Sequence, residues 1–78
     1  MFYLMEVTTY TDGTPKGKAL YEYQTKTDVL AAFHKKLGGA MGNAKYESEL
    51  VKAVTYEGIE VATYYWEREK PEEEEPNG

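Results

Sequence analysis

The chain has 78 residues, no cysteine, a single histidine and a formal charge of −5. These features suit one small domain and exclude a disulfide framework, cysteine-ligated zinc and iron–sulfur clusters. No apolar run approaches the ~20 residues of a membrane helix and no basic-then-apolar leader opens the chain, so a cytoplasmic protein without a membrane partner is expected.

The charge is unevenly placed. Residues 69–78, EKPEEEEPNG, hold five acids and one base, whereas residues 1–68 hold nine acids and eight bases. A glutamate run between Pro71 and Pro76 has little apolar surface to bury. Residues 1–68 therefore read as one domain and residues 69–78 as a disordered acidic tail.

Residues 2–10, FYLMEVTTY, combine β-branched and aromatic side chains that suit a pleated strand. Tyr3, Met5 and Val7 form one apolar parity set, with Glu6 and Thr8 on the opposite side. Asp12-Gly13 and Pro15 mark a turn. Residues 18–24 return as a second strand, with Ala19, Tyr21 and Tyr23 facing away from Leu20 and Glu22.

The period then changes. Val29, Leu30, Phe33, Leu37 and Met41 recur at helical spacing, and Thr25 or Thr27 can cap the helix, with Asp28 at its positive end. Gly38-Gly39 argues for a helix over residues 26–37, followed by a Gly-rich turn or an extra helical turn through Asn43. Residues 46–56 and 59–68 read as a last pair of strands joined by a two-residue Glu57-Gly58 loop. The expected fold is α+β, ββαββ: an antiparallel four-stranded sheet with one helix packed on one face.

One helix covers only one face of such a sheet. Tyr residues, Trp66 and their Leu and Val neighbours then remain on the other, which predicts self-association as a homo-oligomer, a dimer or higher.

Enzyme motifs are missing: no nucleophile elbow, no phosphate-cradling loop after a strand, no histidine pair and no calcium loop. Glu47 and Glu49 share a strand face and read as a solvated pair. A non-enzymatic protein without metal or cofactor is therefore expected. The segment 33–46, FHKKLGGAMGNAKY, concentrates candidate ligand-binding residues: His34, Lys35, Lys36, Gly39, Asn43 and Lys45. Lysine charges and glycine-freed backbone N–H groups suit an anionic group, and Trp66 could stack on a base. The same residues also have a structural reading, as cap and dipole partners at a helix end. Bulk nucleic acid is not the expected partner of a nearly neutral body.

The blocks KALYEYQTK, AFHKKLGGAMGNAKYESELV and the closing YW-E-R resemble a group of small uncharacterised proteins encoded by phages and prophages of Gram-positive bacteria. The resemblance covers about residues 2–68, leaves out the acidic tail and brings no activity with it. It implies a phage context. Two expectations follow: a counter-defence protein that sequesters a nucleotide immune signal, or an interaction or virion accessory module that binds a host or virion protein through its aromatic sheet face.

Overall fold

The computed structural model describes residues 1–69; the expected acidic tail, apart from Glu69, lies outside the described residues. The order is ββαββ: β1 (Phe2–Tyr10), β2 (Gly17–Tyr23), α1 (Lys26–Met41), β3 (Tyr46–Thr55) and β4 (Glu60–Glu67). The strands form one antiparallel sheet in the order β2-β1-β3-β4. Since β1 runs against both its neighbours, β2 and β3 point the same way and α1 is the crossover between them.

Of the two candidate caps, Thr25 is the one used. Its Oγ1 accepts the Asp28 backbone N–H at 3.1 Å, satisfying one donor the first turn would otherwise leave orphaned. The helix does not stop at Leu37, as the glycine pair suggested; it runs on to Met41 and ends at Gly42. Burial explains the extension. Val29, Phe33, Leu37 and Ala40 form one stripe against the sheet, and Ala40, beyond both glycines, is fully buried. That contact offsets the roughly 1 kcal/mol that each interior glycine costs.

The last hairpin also differs from expectation. Gly58 has φ +90° as required, but Gly58 N–H donates to Thr55 O and Thr55 N–H to Ile59 O, so the loop is Tyr56-Glu57-Gly58. A three-residue turn ending on a left-handed glycine keeps the strand twist continuous. Ala53 pairs with Ala62 and Val54 with Glu60, which leaves Val61 as a bulge in β4.

The two faces of the sheet differ in polarity. Leu4, Val51 and Ala53 meet Val29, Phe33 and Leu37 of the helix to form the core. The same parity brings Glu6, Thr8 and Glu49 to the helix side, where they too are buried. The apolar set Tyr3, Met5 and Val7 therefore faces away from the helix, with Leu20, Leu50 and Tyr65 beside it in register.

Candidate functional site

Beside the core, α1 and the β1–β2 half of the sheet leave a cleft of about 520 Å³. Lys35, Lys36, Gly39 and Asn43 line it from the helix side, and Tyr21, Tyr23 and Tyr46 from the sheet side. A second hollow of about 300 Å³ shares Glu6, Tyr21, Lys36 and Tyr46 with the first and extends toward Thr8 and Tyr10. Lys36 and Tyr21 thus border both hollows.

Lys36 is fixed from three directions. Its ammonium lies 3.4 Å from Glu6 Oε1, donates to the Tyr21 hydroxyl at 3.1 Å and sits 4.4 Å from the centroid of the Tyr21 ring. The Tyr21 hydroxyl in turn donates to Glu6 Oε1 at 3.4 Å. The hydrogen bond to Tyr21, joined by the nearby Glu6 charge, raises the affinity of this ammonium for its proton against the opposing effect of burial.

Glu49 forms the floor behind this group. It is 0% exposed, and Thr8 donates its hydroxyl hydrogen to Glu49 Oε1 while Oε2 has no hydrogen-bond donor facing it. Burial, followed by a hydrogen bond with Glu6, pushes its carboxyl up to about 8. A carboxyl raised in this way favours its protonated form, in which the orphaned oxygen carries a proton with Glu6 as the neighbouring acceptor. Tyr46 is raised as well, by burial and then by Tyr10 and the two glutamates. The ring of Tyr10 meets that of Tyr46 edge-on at 5.5 Å. The groove thus presents fixed donors and acceptors beside aromatic rings.

The residues expected to bind a ligand divide into two groups. Lys35, Lys36, Gly39 and Asn43 come together on the cleft. His34 lies on the other flank of the helix, its ring edge-on to Phe33 at 5.2 Å, beside a separate groove. Lys45 is exposed in the turn before β3, where its N–H bonds Asn43 Oδ1 and its carbonyl accepts from Thr11. Trp66 sits on β4 under the Arg68 guanidinium, 4.9 Å away, while Arg68 holds the carbonyls of Tyr46 and Asn43.

Two expectations change. Gly38 and Gly39 lie inside the helix, so their N–H groups are not a free anion cradle, and any anionic group must meet lysine side chains instead. Glu49 is not part of a solvated pair but is fully buried. Glu6, Thr8, Tyr21, Glu49 and Tyr46 were missed as a group. The signal was parity: Glu6 and Thr8 alternate with Leu4, and Glu49 continues the set of Val51 and Ala53. Among the described residues, no group of three or more His, Asp or Glu side chains could hold a metal ion.

Comparison with protein-family models, curated proteins and solved structures returns no match.

Proposed function

We propose that this chain is a non-enzymatic binding protein that takes a nucleotide-type small ligand in the helix–sheet cleft and acts as a homo-oligomer. In the phage context its sequence resembles, such a protein would sequester a nucleotide immune signal in the host cytoplasm. The observation that carries the reading is the convergence of Lys35, Lys36, Asn43 and three tyrosine rings on one opening of about 520 Å³. That volume falls in the range of small-ligand sites, ~300–1,000 Å³.

The chemistry divides along the groove. Lys35 at the rim suits an anionic group, since charge-assisted hydrogen bonds contribute about 1.5–3 kcal/mol each. The tyrosine rings suit a base, with stacking worth roughly 1–3 kcal/mol. Glu6, which lines the cleft, supplies an acceptor for polar base edges.

A thermal-shift screen against mono- and dinucleotides, cyclic nucleotides and ADP-ribose derivatives tests the reading. A ligand at a hundredfold excess over its Kd stabilises by about 2.7 kcal/mol. Lys35→Ala should reduce that shift, with the unliganded melting temperature unchanged. A screen in which no nucleotide moves the melting temperature overturns the proposal.

One observation supports the second reading, a module that binds a host or virion protein. Leu20 and Tyr65 are 68% and 54% exposed on the face opposite the helix, beside half-buried Tyr3, Met5 and Val7. Apolar patches of this kind mark interfaces.

A further inference from the structure

Two strands, β2 and β4, form the edges of the sheet. The β2 edge begins at Gly17 and carries Lys18, whereas Glu60–Glu67 contains neither lysine nor proline and exposes Tyr64 and Tyr65 to about half. Charged, short or proline-bearing edges resist pairing with another chain; a long aromatic edge invites it. The bulge at Val61 bends only the first residues of β4.

We infer that the free edge of β4 pairs antiparallel with β4 of a second copy of this chain, about a two-fold axis at Tyr64.

The hydrogen-bond ladder restricts the register. Arg68 N–H donates to Glu47 O, and Trp66 and Tyr64 follow in register with Glu49 and Val51. In an antiparallel ladder alternate residues bond alternate sides, so Thr63, Tyr65 and Glu67 turn their N–H and C=O groups outward. Outward residues pair only with outward residues, which leaves two-fold axes at Thr63, Tyr64 or Tyr65. An axis at Thr63 runs Trp66 onto the bulged start of the partner strand, and one at Tyr65 sets Ala62 opposite Arg68 and leaves Trp66 with no small residue across from it. The axis at Tyr64 sets the two Tyr64 side chains against each other as an aromatic pair and places Thr63 opposite Tyr65 and Ala62 opposite Trp66, a small side chain against a large one on each face.

The helix side supplies the seat for that tryptophan. A groove of about 540 Å³ runs between α1 and β4, lined by Phe33, Leu37, Met41, Ala62 and Tyr64. A Cβ on Gly38 would meet nothing within 4 Å, so the groove stays open above the helix. Trp66 of the second copy, opposite Ala62, enters this groove and covers the exposed side chains of Met41 and Tyr64. The pairing accepts from the proposed function only that the chain self-associates; its readouts are mass and cross-linking, which require no ligand.

Sedimentation equilibrium of the full chain should give twice the 8.9 kDa chain mass. The chain has no cysteine, so Tyr64→Cys introduces a single thiol at the axis. Opposite residues at a non-hydrogen-bonded position have Cα atoms about 4.5 Å apart, within the span a disulfide bridges. Under mild oxidation Tyr64→Cys should become a covalent dimer, and Leu20→Cys on the open sheet face should not. Tyr65→Pro removes an outward N–H that β3 does not use, and should yield a folded monomer. If Tyr65→Pro fails to fold, the cross-linking comparison decides alone. A monomeric wild type overturns the inference, and so does cross-linking of Leu20→Cys in place of Tyr64→Cys.

Discussion

Thr8 of β1 donates its hydroxyl hydrogen bond to Glu49, its register partner in β3, on the side of the sheet that the helix covers. The pair places a carboxyl group where elementary expectation places an aliphatic side chain. One Glu49 oxygen is satisfied by Thr8; the other is satisfied only when Glu49 carries a proton, with Glu6 as acceptor. A buried carboxyl held in this way ties the fold to pH.

Glu49 keeps its proton in the folded protein up to about 8, whereas its ordinary value is 4.5. The folded state thus binds more protons than the unfolded state between these values. Stability from this group is complete below the lower value and is lost as pH rises through the upper one, at up to about 1.4 kcal/mol per pH unit. The facing groups, Glu6 and Lys36, oppose each other: Glu6 favours retention of the proton and Lys36 its release. Melting temperature should therefore decline as pH rises across this window, and Glu49→Gln, which retains a donor, should flatten the decline. A wild-type melting temperature that does not change across the window would show that Glu49 ionises freely.

Lys35 and Lys36 are adjacent but should respond differently to truncation. Lys36→Ala leaves Glu6, whose side chain is 11% exposed, beside a second carboxyl without its ammonium. Chemical denaturation should report a loss of about 1–2 kcal/mol. Lys35→Ala removes a rim side chain for which a change below about 0.5 kcal/mol is expected. Equal losses at the two positions would contradict the network drawn around Glu6.

Gly38 and Gly39 offer a gain in stability. A Cβ at either position would meet nothing within 4 Å, and neither has a positive φ. Alanine at either should stabilise by roughly 0.5–1 kcal/mol, raising the melting temperature by about 2–8 °C. Gly39 also lines the cleft, so Gly39→Ala should weaken any nucleotide found in the screen, while Gly38→Ala should not. A melting temperature lowered by Gly38→Ala would mean that the helix relies on glycine there.

The candidate site was half legible before the fold was known. Lys35, Lys36, Gly39 and Asn43 stand close together in the chain, and a helix brings spacings of three and four onto one side. Glu6, Tyr21 and Glu49 come from three strands, and nothing local signals their convergence. The helix end stayed open for a related reason. Propensity favoured a stop at Leu37 but allowed an extra turn toward Asn43, and the burial of Ala40, a long-range contact, selects the longer helix.

Local pattern by itself determined the ββαββ order and the left-handed glycine of the last turn, and narrowed the helix cap to Thr25 or Thr27, because each depends on neighbours within a few residues. Tertiary structure decided which side of β1 the helix covers. Parity separates Tyr3, Met5 and Val7 from Leu4, Glu6 and Thr8, but pairing with β3 and the path of the crossover select the second set for burial. Val51 and Ala53 share that side and pack against Val29, Phe33 and Leu37, so the whole sheet turns it toward the helix. Glu6 and Glu49 follow because a strand cannot rotate one side chain without its parity mates. The buried carboxyls, the lysine held over Glu6 and the groove that Glu6 and Lys36 line all result from that choice of face.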